Sequence, residues 1–582
     1  MIQHSGVAVS PGIARGKAYV YKKHTSTAEH ITIGAADVAA QIALYEQASQ
    51  KAREELQAME GGTQEQEEIL RTHISFLMDE DMIEEIRTEI TQNHKCAEWA
   101  VETVYGQVID MLDASPDPVF KERIADFADV RDQLLKELRG ERSTGLEALS
   151  EPVILVAKEL LPSDTISMDP AKILGIVTER GGVTAHMAVI ARSLAIPAVA
   201  GISGVDEAIT SGIELIVDGQ TGTVYSQPDP AILEEYQKKA QAFDRQRQIE
   251  KEYLPKPACT ADGVRIETKV NLGSADEREL AAAACSDGVG LFRSEFLYMN
   301  NDHLPTEEEQ FTAYKAALEA LAPRPVTLRT MDIGADKQLP YLSLPHEENP
   351  ALGMRALRLC FAKPDVFRTQ LRAACRAAVY GNLQVMFPMV SSVTDVIRAK
   401  QLLAEVAKEL ADEGIPFRAD FPVGVMVEVP SLALMASQIA KQADFASIGT
   451  NDLVQYLLAA DRDNPDMAAY YQSFHPAVFQ AIRMIIEGFS AQGKPVSVCG
   501  ELGSDPRSVP ILLGLGLRTL SISPARLGEI KYRIAGMTMA QMEQMAQDIL
   551  AMGSQEEVVA YLEKQPHQAE CKEQTAGRCD NV

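Results

Sequence analysis

From about residue 260 onward, short apolar runs alternate with helical segments of ordinary length, and no other feature of the chain limits its possible folds so strongly. Eight runs read as strands: 265–272, 288–295, 326–333, 383–389, 423–429, 445–450, 496–499 and 518–523. Eight β/α units in about 290 residues predict a TIM barrel, whose active site gathers at the C-terminal ends of the strands. An open doubly wound sheet is the rival arrangement of the same elements.

The strand ends supply candidate chemistry. The second run ends Leu291-Phe292-Arg293-Ser294-Glu295, and the third carries Leu328-Arg329-Thr330-Met331-Asp332. The fifth carries Met426-Val427-Glu428, the sixth leads to Gly449-Thr450-Asn451-Asp452, and the seventh to Val498-Cys499-Gly500-Glu501. Arg355 and Arg462 fall in loops just beyond the third and sixth runs. Any one arginine reads equally as a surface ion pair, but arginine forks that converge suit bidentate binding of phosphate and carboxylate. Glu428 and Asp452 are hard oxygen donors of the kind Mg2+ takes, with its other positions left to substrate and water. The expected ligand is a small, highly anionic molecule carrying phosphate and carboxylate. Cys499 has two readings: an inert buried thiol, or a general acid facing this site, mostly protonated at neutral pH with an ordinary pKa of about 8.5.

The N-terminal half carries Gly181-Gly182-Val183-Thr184-Ala185-His186, running into Met187-Ala188-Val189-Ile190-Ala191-Arg192. Two glycines permit a tight turn, Thr184 suits a helix cap, and the apolar run reads as a helix. His186 is then expected near a helix N-terminus, where free N–H groups and the helix dipole favour an anion. A histidine placed there can accept a phosphoryl group; the alternative is a capping or core histidine. Strand-like segments at 6–12, 17–21, 152–157, 173–177 and 213–217 make a compact α/β domain from residues 1–25 and 145–228. Between them, from about Ala35 to Leu138, apolar residues recur at helical spacing. Ile69, His73, Phe76 and Leu77 mark one stripe and Ile109, Met111 and Leu112 another, with a break at Pro116 and Pro118. This predicts a helical bundle, 30–142, inserted into the α/β domain. The first stripe reads equally as a docking face or as core. Residues 229–259 form a polar connecting helix ended by Pro255 and Pro257, 260–563 the barrel, and 564–582 a polar tail expected to be disordered.

Net charge is −28, from 55 Lys plus Arg against 83 Asp plus Glu. That balance argues against nucleic acid or an anionic membrane as partner, and any anionic substrate needs a local arginine cluster. No apolar run reaches the roughly 18 residues of a membrane span, and the N-terminus lacks the pattern of a secretory signal. The eight cysteines are scattered, without a CxxC pair, which points to neither a disulfide framework nor a zinc site and suits a reducing cytoplasm.

Over nearly the whole chain, from Ser10-Pro11-Gly12-Ile13-Ala14 to about residue 563, the sequence resembles Enzyme I of the bacterial phosphotransferase system, the phosphoenolpyruvate–protein phosphotransferase family. The motifs that carry the resemblance are GGVTAHMAVIARSLAIPAVAG around His186, LFRSEFLYM, LPTEEEQ at 304–310, RTMDIGADK at 329–337, EENPALGMRALR at 347–358, VMVEVP, SIGTNDLVQY and CGELGSD. The resemblance implies that His186 is phosphorylated by phosphoenolpyruvate and passes the group to a histidine of the phosphocarrier protein HPr, docked on the helical insertion. It implies further that Arg293, Arg329, Arg355 and Arg462 hold phosphate and carboxylate and that Asn451 contacts substrate. Glu428 and Asp452 would bind Mg2+, and Cys499 would protonate the enolate at C3 to give pyruvate. A homodimer formed through the barrel, and swivelling that brings His186 to the barrel, are expected on the same ground.

The chain departs from the family pattern at Val183, where arginine is common, and at Ala185, where serine is usual. Thr165 is a candidate hydroxyl partner for His186. Pyruvate,phosphate dikinases and phosphoenolpyruvate synthases share the histidine and barrel domains but add a nucleotide-binding domain, and no Gly-rich phosphate loop precedes the histidine here. The N-terminal sensory domain of a nitrogen-branch relative is not expected, since Gly6 already lies in the first strand. A non-catalytic regulator is disfavoured by intact His186, Glu428, Asp452 and Cys499.

Overall fold

The structure, a computed structural model, describes residues 1–21, 28–58, 64–114, 118–140, 146, 149, 151–160, 164–165, 168–181, 186–299, 301–334, 339, 341–342 and 344–565. The chain forms two units, Met1–Gln246 and Arg247–Val582.

In the first unit eight strands make one sheet: β1 (Ile2–Ser5), β2 (Val7–Ser10), β3 (Ile13–Tyr21), β4 (Val153–Ala157), β5 (Ile173–Thr178), β6 (Ala198–Ala200), β7 (Glu214–Asp218) and β8 (Thr223–Ser226), in the order β1-β8-β7-β3-β4-β5-β6-β2. The centre of the sheet, β3 to β6, is parallel. Within it β4 and β6 are apolar and buried throughout because both faces are covered, whereas β3 carries Arg15 and Lys17. Along β4, Val153, Leu155 and Ala157 join one cluster and Ile154 and Val156 the other. Antiparallel strands complete both edges. The sequence reading lacked β1, β6 and β8: β1 is mostly exposed and β6 has three residues, so neither shows a period.

The described residues of the insertion form five helices, Val38–Ala58, Gln64–Leu77, Glu80–Thr91, Ala97–Asp113 and Pro118–Arg139. The Asp79 carboxylate caps the third by accepting the Met82 N–H. The last begins at Pro118, a residue tolerated in a helix's first turn because its missing N–H has no partner there. The first apolar stripe is core rather than docking face. His73 is fully buried with Nε2 3.4 Å from Asp126 Oδ1, Phe76 stacks on Phe127 at 4.1 Å, and Leu77 is buried. The side chain of Ile69 lies outside the described residues. On the second stripe Met111 is exposed.

A helix, Pro230–Tyr253, stops just before Pro255. Beyond it come β9 (Glu267–Leu272), β10 (Val289–Arg293), β11 (Pro325–Arg329), β12 (Asn382–Phe387), β13 (Val423–Val427), β14 (Ala446–Ile448), β15 (Val496–Val498) and β16 (Thr519–Ile522). Each pairs in parallel with the next, and β16 closes on β9. The closed barrel excludes the open sheet. The strands end earlier than expected, so Glu428 and Cys499 stand just past β13 and β15, and Asp452 in the helix that follows β14. Strand periodicity sends alternate side chains into the lumen. Leu291, Met386, Met426, Phe445 and Cys499 form a separate cluster there, while Phe292, Phe387, Val427 and Ile448 join the shell between barrel and helices.

Among the described residues Cys96, Cys285, Cys360, Cys375 and Cys499 are free thiols. Residues 566–582, with Cys571 and Cys579, lie outside the described residues, as do residues 182–185 with Val183 and Ala185.

Candidate active site at the mouth of the barrel

Arg329 ends β11 pointing into the lumen. Its guanidinium lies 3.1 Å from Glu295 Oε2 and 3.0 Å from Asp332 Oδ2. Glu295 in turn accepts the Asp332 backbone N–H at 2.8 Å. Arg355, the cap residue of helix Ala356–Ala362, donates from Nε and one terminal nitrogen to Asp332 Oδ1 at 3.2 and 2.8 Å. Its other terminal nitrogen approaches the Tyr456 hydroxyl at 3.3 Å and Asp452 Oδ1 at 3.7 Å. These side chains are almost wholly buried. Burial works against the charge of both arginines, yet the facing carboxylates outweigh it and raise their pKa values. Asp332 and Glu295 therefore lock the two forks in position, a role the sequence had not assigned although both stand at predicted strand ends.

Glu428 is fully buried just past β13 and accepts the Met389 N–H at 2.6 Å on Oε1. Burial, with the charges of Asp452 and Asp332 nearby, raises its pKa against the pull of Arg329. Asp452 lies in the first turn of helix Thr450–Leu458, its Oδ1 also 3.7 Å from Arg462. Asn451 is fixed by Glu501, accepting its backbone N–H at 2.9 Å and donating to Oε1 at 3.0 Å. Arg462 and Arg293 are more exposed, at the rim. The Cys499 thiol is buried in the lumen, 3.6 Å from the Ile448 carbonyl oxygen. Burial pushes its pKa up to about 11, with Ser447, Arg329 and Arg293 pulling the other way.

The unpaired atoms indicate what this cluster can hold. Arg329 Nε, Glu428 Oε2 and Asp452 Oδ1 are buried without a hydrogen-bond partner. An unused donor on an arginine suits an anion, and unused oxygens on two interacting carboxylates suit a hard cation. Among the described residues no group of three or more His, Cys, Asp and Glu side chains makes a complete metal cage. Glu428 and Asp452 fit the smaller share of ligands that Mg2+ usually takes from protein. The barrel thus brings Arg293, Arg329, Arg355, Asn451, Arg462, Glu428, Asp452 and Cys499 to one end.

His186 belongs to the first unit. It opens helix His186–Ser193, and Gly181 takes φ +105°, a backbone that favours glycine. The His186 side chain lies outside the described residues. Thr165 and Asp164 are buried, and Asp164 accepts the Tyr21 hydroxyl at 2.7 Å.

Comparison with known proteins matches three family domains in order: the N-terminal domain of PEP-utilising enzymes over residues 5–123, their mobile domain over 149–222, and their PEP-binding domain over 247–539. A phosphoenolpyruvate-protein phosphotransferase of Geobacillus stearothermophilus is 40% identical over 564 residues, covering 96% of this chain and 97% of its own. That of Bacillus subtilis (strain 168) is 38% identical, covering 97% and 100%. A solution structure of Enzyme I (nEIt) is 34% identical, covers 41% of this chain and 99% of its own, and aligns with a TM-score of 0.37. With near-complete coverage at this identity, the chain belongs to the phosphoenolpyruvate–protein phosphotransferases, the Enzyme I family.

Proposed function

We propose that the protein moves the phosphoryl group of phosphoenolpyruvate onto its own His186 and then onto a histidine of HPr, releasing pyruvate as the first step of a sugar phosphotransferase system. The carrying observation is the barrel-mouth cluster, in which a buried arginine with an unused donor stands beside carboxylates with unused oxygens. Arg329 and Arg355, pre-set by Glu295 and Asp332, bind the phosphate and carboxylate with Arg293 and Arg462, and Asn451 contacts substrate. Glu428 and Asp452 hold Mg2+, which when bound neutralises charge on the phosphoryl oxygens. Phosphoryl transfer through a loose in-line transition state asks for positioning and charge compensation, and the fixed forks provide both. The neutral His186 ring is the proposed nucleophile. Thr165 is its proposed hydroxyl partner. Cys499 gives its proton to C3 of the enolate.

His186 belongs to the first unit and the barrel residues to the second, and swivelling that lets them meet is part of the proposal, with the polar helix Pro230–Tyr253 and its proline-rich end as the proposed hinge. The insertion is the proposed seat of HPr, and its exposed Met78 and Met111 are apolar surface that a partner would cover. We assign the barrel the dimer contact and the protein to the cytoplasm. No described helix is long and apolar enough to cross a membrane.

Incubation with phosphoenolpyruvate and Mg2+, followed by intact mass measurement at neutral or mildly basic pH, tests the reading. One added phosphoryl group in the wild type and none in His186→Ala, with pyruvate released, is the expected result. Pyruvate without a phosphorylated protein, or phosphorylation that survives His186→Ala, overturns it.

A further inference from the structure

Ser447 lies on β14 between Phe445 and Gly449, and strand alternation turns it to the same lumen face as Phe445. Phe445 itself packs in one cluster with Cys499. The Ser447 side chain is fully buried, yet its Oγ has no hydrogen-bond partner. Ser497, its register partner on β15, does have one, donating from Oγ to the Ala446 carbonyl. A buried, unpaired hydroxyl is destabilising, and alanine would cost less at this position. The neighbouring thiol gives the hydroxyl a purpose. In the protonated state Cys499 Sγ donates to the Ile448 carbonyl at 3.6 Å, and its own backbone N–H donates to the same oxygen at 3.0 Å. Once the thiol has lost its proton, that carbonyl oxygen faces an anion and repels it. A thiolate there requires a donor. The Ser447 hydroxyl is buried on the lumen face it shares with Phe445 of the Cys499 cluster, and its Oγ is left unpaired.

We propose that Ser447 is a positioning residue for the protonation step, its hydroxyl turning to donate to Cys499 Sγ as the thiol becomes a thiolate. The inference rests on the reading of Cys499 as the acid. In that step the S–H bond breaks and its electron pair stays on sulfur. The proton forms the new C–H bond at C3 of the enolate, whose oxygen pair closes the C2 carbonyl of pyruvate. A solvent proton later restores the thiol, and the serine hydroxyl is again unpaired.

The test uses the full chain with Mg2+, phosphoenolpyruvate and pyruvate at equilibrium in deuterium oxide, following deuterium entry into the pyruvate methyl group by proton NMR. Loss of a hydrogen bond to a charged group predicts a fall of roughly tenfold to a hundredfold in Ser447→Ala, with the KM for phosphoenolpyruvate within about twofold of wild type. Ser447→Thr, which keeps the hydroxyl, recovers most of the rate. Should Ser447→Ala not fold, the near-isosteric Ser447→Cys, a weaker donor, is read in its place and expected to show a smaller loss. Deuterium entry at the wild-type rate in the variant that lacks the hydroxyl, or a loss carried by KM alone, overturns the proposal. Cys499→Ala separates the two claims. If it exchanges like wild type, the acid is misassigned and Ser447 falls with it; if it does not exchange while Ser447→Ala does, only Ser447 is wrong.

Discussion

Replacing Gly449 with alanine perturbs the proposed cation site without changing any charge. The glycine has φ −84° and ψ 83°, so alanine needs no unusual backbone. The added Cβ, however, would stand 2.8 Å from Glu428 Oε2 and 3.1 Å from both Cγ and Sδ of Met426. Ordinary contact begins near 3.4 Å, so the carboxylate oxygen must retreat by about 0.6 Å. Glu428 has little room to do so, being fully buried with its other oxygen held by the Met389 N–H at 2.6 Å. Overpacking of this kind costs about 1–3 kcal/mol. If the carboxylate leaves its binding position to relieve the strain, the same energy appears as roughly 5- to 150-fold weaker cation binding. The assay is pyruvate formation against Mg2+ concentration, with calorimetric titration of Mg2+ as a readout independent of turnover. Half-saturation should rise by that factor in both. A variant that melts lower yet binds Mg2+ within twofold of wild type would refute Glu428 as the ligand.

Two further outcomes follow from the same cluster. Arg355→Lys keeps the charge but loses the fork that holds Asp332 with two nitrogens at 2.8 and 3.2 Å. With the buried Asp332 half-satisfied, melting should show a loss of about 1–3 kcal/mol and the KM for phosphoenolpyruvate should rise at least about tenfold; a variant equal to wild type in both means the fork is unused. Cys499 makes stability fall at alkaline pH. Burial raises its pKa from 9.0 to about 11, so the folded state keeps a proton that the unfolded chain has lost. This contribution is complete below pH 9 and is lost as pH rises to 11, about 3 kcal/mol at roughly 1.4 kcal/mol per unit. Urea unfolding of wild type and Cys499→Ala at both ends of that range measures it, and a difference that does not change with pH contradicts the assignment.

How far the sequence could be read depended on what each residue's neighbours are. The eight barrel strands were visible as short stretches rich in apolar residues, continuous in β13 and alternating with polar residues in β9 and β12. Their ends were placed up to four residues late, since apolar side chains such as Ile333 and Val429 continue past the last ladder bond into the loops that carry the site. β1, β6 and β8 have no such signature: with three or four residues each they are too short to show a period, and they gain their order from the strands beside them. His73 and Phe76 show the complementary limit. Helical spacing identifies a face, but only the Asp126 and Phe127 packed against it reveal that this face is turned inward.

Within the site, the arginines and the two oxygen donors could be named from strand-end position, because each residue type declares what it binds. Glu295 and Asp332 occupied the same kind of position and still carried no assignment, for their function is to hold another side chain. That relation exists only once Arg329 and Arg355 converge on them. Ser447 was less legible still, as a serine within a strand has no signature at all. What distinguishes it is a hydrogen bond that is not made, a property shared with Arg329 Nε, Glu428 Oε2 and Asp452 Oδ1. Each such atom costs about 1–3 kcal/mol in a dry interior, and stability alone gives no reason to gather them in one place. The cost is recovered only when ligands of both signs are present. Glu428 lies in the fields of Arg329, Asp332 and Asp452 together, so a cation bound there removes the repulsion that an incoming anion would meet. The anion must then strengthen cation binding by the same factor, because the coupling between two bound ligands is reciprocal.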